Sequence, residues 1–316
     1  MNRTIGLILC LLLACGNIYA AREQAPDTVK VGIYINSIHD INFRDKEYSI
    51  NLWMWMHYKN QDFDFMNNLE IPQAKSFSRS FTTIDSSDGK IYLLMKLQCV
   101  MKDNWSIHNF PFDKQTLRFS IENSQFDSKQ LLFAMDTTGK NHHRFTVSGW
   151  NIDSVTISTG EKKYETGFGD ESLEQPNTTY GVYKVKILLT RDAWGLFWKM
   201  FLGMYVSFLI ALVCLFIPAD NMDSRLGLSV GSLFTAIGNK YVIDSSLPDT
   251  STFTLVDTLH GLTLVFILGV IVISVYDLRK RKQGQLEHTR MVDRKSVWIL
   301  LGSYLFFNLM FVWLAQ

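Results

Sequence analysis

The part of the chain after residue 193 constrains the fold most, because its apolar stretches are too long for a soluble domain. Three hydropathy peaks run through Gly195–Ile217, Leu259–Tyr276 and Ser296–Ala315. Each approaches or reaches the roughly 20 residues that a membrane-spanning helix needs. The chain is therefore expected to cross a membrane several times.

A fourth stretch, Leu226–Ile243, is amphipathic and contains three glycines, so it suits a helix with one wet face inside a bundle. The loop after residue 276 is rich in Lys and Arg, which predicts a cytoplasmic location. If the first peak crosses from outside into the cytoplasm, the chain must cross back out before the Leu259–Tyr276 helix can end in the cytoplasm again. The amphipathic stretch must therefore be a span of its own. Four helices are expected, at about 195–217, 224–243, 255–276 and 296–315.

Residues 1–20 have the pattern of a secretory signal peptide, with Arg3 before a short apolar stretch and small residues before Ala21. Cleavage is expected after Ala20, or at Cys15 if the preceding residues act as a lipoprotein signal. The alternative, a first membrane helix, needs more apolar residues than this segment has. The signal predicts that residues 22–192 lie outside the cytoplasm.

Residues 22–192 show the period-two alternation of β-strands, separated by polar turns. The clearest strand patterns are Val29–Ile35, Ile91–Val100, Thr116–Ile121, Val155–Ser158 and Gly181–Leu189. Many short strands predict an all-β, immunoglobulin-like sandwich. We expect this extracytoplasmic domain at 22–192 and a membrane domain of four helices at 193–316.

Composition and motifs argue against several classes of function. The formal charge of +1 gives no basic excess for nucleic-acid binding, and the four cysteines suggest neither a disulfide framework nor a zinc site. No catalytic, metal-binding or cofactor-binding motif stands out, so we expect neither an enzyme nor a cofactor. His142 and His143 are interpreted as a solvated loop, with a metal site as the less favoured reading.

The most specific motif is Asn109–Gln115, which reads NFPFDKQ. Here the chain resembles the pentameric ligand-gated ion channels, the Cys-loop receptor superfamily, over nearly all of residues 28–316. Asp103 and Leu117 stand where animal receptors have the bridging cysteines, as in bacterial members. The resemblance implies a homopentamer in a bacterial inner membrane, opened by a small-molecule or proton agonist to let ions pass.

The motif loop is expected to couple the sandwich to the helices. Pro111 fixes a rigid turn between Phe110 and Phe112, which presents Asp113 to Arg191 at the membrane junction. The alternative is an unrelated surface Asp and surface Arg. The resemblance also gives the outer loop that contains Pro248 a role in receiving movement from the sandwich.

Helical spacing from Arg225 gathers one face of the amphipathic helix, which lines the pore in the family. The face consists of Gly227, Gly231, Phe234, Gly238, Tyr241 and Ser245. Phe234 would form the central hydrophobic ring and Tyr241 an outer constriction. The alternative is that Gly227 and Gly231 form a GxxxG motif for helix packing.

Carboxylates near the ends of this helix predict cation selectivity. Asp223 and Asp220 lie near the inner end, and Asp244, with Asp249 beyond it, near the outer end. Three features weaken this prediction: Ser224 stands where cation-selective members often have Glu, and Arg225 and Lys240 add positive charge.

The agonist pocket is expected between subunits, under the tip of the hairpin around 166–179. Its candidate aromatics are Tyr164, Phe168, Tyr180 and Tyr183, which could hold a cation through their ring faces, although packing on a strand face explains them equally well. Two other functions stay open: a non-conducting receptor or scaffold of the same architecture, and a membrane-anchored sandwich enzyme.

Overall fold

The computed structural model describes residues 25–137, 145–169, 171, 177–218, 221–248, 251–284 and 286–316, leaving aside the side chains of 286–290. The predicted signal peptide with both cleavage sites, the His142–His143 pair, Asp220 and Asp249 lie outside the described residues.

Residues 27–191 form a two-sheet β-sandwich. The strands are β1 (Asp27–Asn42), β2 (Glu47–Tyr58), β3 (Leu69–Glu70), β4 (Ala74–Ser87), β5 (Lys90–Lys102), β6 (Lys114–Asn123), β7 (Leu131–Met135), β8 (Trp150–Tyr164) and β9 (Thr178–Arg191). A single helical turn, Phe65–Asn68, precedes β3. All five stretches with a clear strand pattern lie within these strands, so the predicted all-β domain is confirmed.

One sheet has the order β4-β5-β2-β1-β7 and the other β3-β6-β9-β8. All pairs are antiparallel except β1 with β7. Alternation on each strand supplies the core, as in β1, where Val29, Val31, Ile33 and Ile35 are buried. The sheets approach closely at Gly181, where a Cβ would lie 2.6 Å from the Leu131 carbonyl oxygen.

The β8–β9 hairpin connects the two ends of the sandwich. Trp150 is the register partner of Arg191 at its base, and Tyr164 is the partner of Thr178 near its tip. Strands of 14 to 15 residues extend about 45 Å at 3.3 Å per residue. The hairpin therefore joins the candidate agonist aromatics to the membrane junction through continuous backbone pairing.

Four long helices follow. They are α1 (Ala193–Val213), α2 (Met222–Asp244), α3 (Leu255–Lys282) and α4 (Leu286–Ala315), with a 3-10 turn at Cys214–Phe216 after α1. A capping box of Thr254 and Asp257 starts α3. Within the described residues, Ala193–Phe216, Leu255–Lys282 and Met291–Ala315 are long and apolar enough to cross a membrane. The helix α2 is not among these three.

Polar contacts hold α2 against α1 and α3. Ser207 on α1 donates to the carbonyl of Ser232, while Asn239 donates to the Met200 carbonyl at 3.1 Å. The Nε2 atom of His260 on α3 lies 3.0 Å from Asn239 Oδ1. Hydrogen bonds inside an apolar bundle are directional, so they fix the rotation of α2 about its own axis. That rotation decides which face of α2 is left uncovered.

Candidate gating junction and uncovered helix face

The predicted ion pair between Asp113 and Arg191 forms at the base of the sandwich. Arg191 Nε lies 2.6 Å from Asp113 Oδ1, and Nη2 lies 3.1 Å from Oδ2. The side chains are 10% and 3% exposed, so the pair is nearly dry. A two-point guanidinium–carboxylate contact fixes direction as well as distance. The alternative of two unrelated surface charges is wrong for this geometry.

Aromatic rings surround the guanidinium on its remaining sides. Arg191 Cζ lies 4.0 Å from the ring centroid of Trp150, 4.6 Å from Phe43 and 4.9 Å from Phe110. Cation–π attraction strengthens when water is excluded, so the rings and the carboxylate act together. No motif in the sequence marked Phe43 or Trp150 as part of this junction. The register of β8 with β9 brings Trp150 there, and the turn after β1 brings Phe43.

Gln115 extends the junction into the motif loop. Its Nε2 atom donates to Asp113 Oδ2 at 2.7 Å and to the Ser106 carbonyl at 2.6 Å, while its Oε1 accepts from the Ser106 N–H at 3.3 Å. The two arms of the loop are therefore tied together next to the ion pair. This gives a structural reason for the glutamine that ends the motif.

A carboxylate closes the base of the loop where animal receptors have a disulfide. Asp103 Oδ1 lies 2.7 Å from Arg118 Nη1, and Oδ2 accepts from the Arg118 N–H at 3.0 Å. Burial raises the pKa of Asp103 even though Arg118 opposes this shift. The group therefore acts mainly as a fixed hydrogen-bond acceptor for the backbone.

The loop also touches the helices. Phe112 packs against Trp194 and Phe197 of α1, with ring centroids 5.3 and 5.6 Å away. Phe110 and Pro111 are buried beside it. The predicted insertion of the two phenylalanines at the sandwich base and membrane junction is what the structure shows.

Three further contacts reach residues 245–255, which run from the end of α2 to the start of α3 and contain the buried Pro248. The His108 carbonyl accepts from the Leu255 N–H at 2.9 Å, and His108 Nδ1 lies 3.0 Å from the Phe253 carbonyl oxygen. Arg44, in the turn after β1, donates to the Ser245 carbonyl at 3.4 Å. Motion of the sandwich base thus has direct mechanical contacts to the end of α2.

One face of α2 is uncovered in the protomer, and it is the face selected by helical spacing. All six positions are exposed, with Phe234 at 67% and Tyr241 at 75%. A Cβ at Gly227, Gly231 or Gly238 would have nothing within 4 Å. The glycines therefore make no close helix contact inside the protomer. The buried residues, among them Ser229, Ser232 and Ala236, lie two positions earlier, about 200° around the helix.

The charged residues near α2 differ in their surroundings. Asp223 is exposed on the same face as Gly227, four residues before it. Asp244 pairs with Lys240, which also lies 2.8 Å from Asp257 of α3, so the outer acid is partly neutralised. Arg225 is buried and not on the uncovered face, a direction that the sequence pattern did not reveal.

Three of the four candidate agonist aromatics form a cluster. Ring centroids of Tyr164, Phe168 and Tyr180 lie 5.5 to 6.4 Å apart. Tyr183 is 1% exposed in the sandwich core, separate from the others. For Tyr183, burial on the inward face of β9 explains the aromatic residue.

The cluster already contains an ammonium group that the sequence analysis missed. Lys162 Nζ lies 4.4 Å from the Tyr164 centroid and 3.3 Å from Glu122 Oε1. Burial raises the pKa of the Tyr164 hydroxyl, which donates to Glu122 Oε2 at 2.7 Å. The sequence contains one signal for this contact: Lys162 and Tyr164 are two residues apart on β8, so their side chains lie on the same face of the strand.

Fold and junction together define the class: a chain whose β-sandwich is fastened to a bundle of four long helices, three of which are apolar enough to cross a membrane. No protein-family model matches the chain. It is 20% identical over 273 residues to the proton-gated ion channel of Gloeobacter violaceus, covering 79% of this chain and 73% of the relative.

The human gamma-aminobutyric acid receptor subunit gamma-3 is 19% identical over 280 residues, and the subunit of Mus musculus is 20% identical over 319. These alignments cover 78% and 86% of this chain but only 56% and 64% of the relatives, so the chain spans less than two thirds of their length. These relatives are all members of the pentameric Cys-loop receptor superfamily, and the chain is similar to them at about 20% identity.

The Asp113–Arg191 pair predicts strong coupling between the two side chains. Asp113→Asn and Arg191→Gln should each lower stability by about 3–5 kcal/mol, because each leaves a partner buried without its counter-charge. The double variant should lose much less than the sum. Thermal unfolding of the purified protein in detergent measures this, with the exposed Lys75→Gln as the control expected to change little. Strictly additive losses would contradict the pairing.

The Asp103 clamp predicts a graded loss of stability. Asp103→Ala removes the acceptor of the Arg118 N–H and the partner of the Arg118 guanidinium, and should cost about 1–3 kcal/mol. Asp103→Asn retains an acceptor oxygen for that N–H and should cost less than Asp103→Ala. Unfolding in detergent is again the measurement, and Asp85→Ala on an exposed strand position is the control. Equal losses for Ala and Asn would show that the carbonyl oxygen is not the feature that matters.

Proposed function

We propose that this chain forms a homopentameric ligand-gated ion channel whose pore is lined by α2. One observation carries the proposal: the face of α2 that runs from Gly227 to Ser245 is uncovered, while the opposite face is bonded to α1 and α3. With its glycines and polar residues, α2 is not apolar enough to face lipid on all sides, so its uncovered face needs another partner. A ring of five copies around a central axis supplies one.

In such a ring, Phe234 and Tyr241 form two narrow levels. The five Phe234 side chains exclude water from the pore when they converge, and water returns when the side chains move outward by a small distance. This is gating by dewetting. Gly227 and Gly231 leave the inner half wide. The same glycines argue for pore lining over GxxxG packing, since they touch nothing in their own protomer.

Transmission from agonist to pore follows the hairpin and the motif loop. An agonist at the Tyr164 cluster acts on the tip of β8 and β9, whose base holds Trp150 and Arg191. Arg191 holds Asp113, and the same loop contacts the α2–α3 segment through His108. An agonist opens the pore only by binding the open arrangement more tightly than the closed one.

The agonist is a small molecule or a proton, and the cluster constrains its chemistry. Because Lys162 bonds to the Tyr164 hydroxyl at 2.6 Å and to Glu122 at 3.3 Å, an organic cation that pairs with Glu122 would have to displace it. A proton on this network, or a ligand that bonds to Lys162, needs no such displacement. The proton-gated relative is consistent with the former.

Topology follows from charge. The basic residues after α3, among them Arg279 to Lys282, face the cytoplasm by the positive-inside tendency. With α2 as a fourth span, the sandwich lies outside the cytoplasm and the chain is a multi-pass protein of a bacterial inner membrane. Asp223 at the inner mouth favours cations.

Removing the hydrophobic ring should open the channel without agonist. Phe234→Ala is expected to raise the agonist-independent current of reconstituted protein in planar bilayers at least about tenfold, because the dewetting barrier falls. Phe306→Ala is the matched control, since it removes an equally exposed phenylalanine from α4, on the lipid side. Absence of current in wild type and Phe234→Ala across pH steps would favour the non-conducting scaffold.

Subunit count tests the assembly directly. Negative-stain or cryo-electron microscopy of detergent-solubilised protein should show rings with five-fold symmetry. A ring with any other number of subunits would contradict the proposed homopentamer.

A further inference from the structure

Arg225, in the first turn of α2, is turned into the helix bundle. Its side chain is fully buried, although it belongs to a helix whose free face is open from end to end. Fully burying a guanidinium is costly unless charged and polar partners replace water. The partners therefore indicate what fixes its direction.

Four groups from three other segments hold the guanidinium. Nη2 donates to Asp293 of α4 at 2.6 Å and to the Leu215 carbonyl at 3.2 Å, and Nε donates to the Ile217 carbonyl at 2.6 Å. Nη1 lies 3.4 Å from Asp277 of α3. The end of α1, α3 and α4 thus meet at one side chain of α2.

The acids of this network counteract any positive charge that Arg225 would add to the inner mouth of the proposed pore. One guanidinium faces two carboxylates, and Asp277 is fully buried with it. Asp277 Oδ1 and Asp293 Oδ1 have no hydrogen-bond partner among the described residues, so acceptors are in excess. The positive charge of Arg225 is therefore balanced inside the protomer.

Helical geometry places an acid on the opposite side. Asp223 precedes Arg225 by two residues, or about 200° of rotation, and precedes Gly227 by one turn on the uncovered face. The sequence Asp-Ser-Arg thus directs a carboxylate toward the proposed pore and a guanidinium away from it. This arrangement holds only while Arg225 remains paired with Asp277 and Asp293.

We propose that Asp277 and Asp293 are positioning residues for ion selectivity, because they hold Arg225 in the bundle and leave Asp223 to set the potential of the inner mouth. This rests on the proposed channel function with α2 lining the pore. Without the acids, five guanidiniums would be released near the mouth. Five unit charges at about one Debye length, roughly 10 Å in 0.1 M salt, change the ratio of cation to anion permeability about tenfold.

Reversal potentials in a sodium chloride gradient across a planar bilayer test this. Wild type should favour sodium, and Asp277→Asn with Asp293→Asn should lower the sodium-to-chloride permeability ratio about tenfold. Asp277→Glu with Asp293→Glu should keep it high, since the charges remain. Adding Arg225→Gln to the double Asn variant should restore the ratio, because the released charge is gone. A purely structural role for the acids predicts neither the rescue by Glu nor this suppression.

Several outcomes overturn the proposal. If Asp223→Asn lowers the sodium-to-chloride permeability ratio but the double Asn variant leaves it unchanged, Arg225 is not released. A low ratio that persists after Arg225→Gln shows that another group is responsible. If the double variant does not assemble, Asp293→Asn alone should give a smaller fall, and no fall contradicts the proposal. Wild type without current overturns the channel function instead, which separates the two failures.

Discussion

The buried pair of Arg191 and Asp113 is the interaction on which the rest of the junction depends. Arg191 ends β9, and α1 begins two residues later, so the guanidinium lies where the sandwich becomes membrane helix. Its carboxylate partner belongs to the loop that also packs on α1 and contacts the α2–α3 segment. With one bidentate pair at their intersection, β9, the motif loop and α1 cannot move independently.

Burial makes this pair a mechanical part rather than a source of stability. Ion pairs removed from water gain little net free energy over apolar replacements, but losing one partner is costly. The three rings around Arg191 exclude water and leave it few alternative positions. The junction is therefore well suited to two discrete arrangements, since intermediate ones would expose an unpaired buried charge.

Local patterns in the sequence were sufficient for the fold. Alternation marked five of the nine strands, since one face of such a strand packs toward the core, and apolar length marked three of the four helices because lipid accepts little else. The Asp113–Arg191 contact was also predictable, through the motif and the junction. The directions of three side chains were not predictable, because they depend on partners distant in sequence. Arg225 points into the helix bundle, Lys162 lies against Tyr164, and Tyr183 is in the sandwich core.

The two buried arginines show how one residue type serves opposite ends of the helices. Arg191 contacts one carboxylate and three aromatic rings. Its charge is balanced by that one carboxylate, so only a single ion pair has to change for Arg191 to move. Arg225 has two acids and two carbonyls from the end of α1, α3 and α4, which over-determines it. A contact with one acid suits a moving junction, whereas a network with excess acceptors suits a fixed inner end. In the proposed channel, opening should therefore displace the end of α2 near Ser245 more than its start.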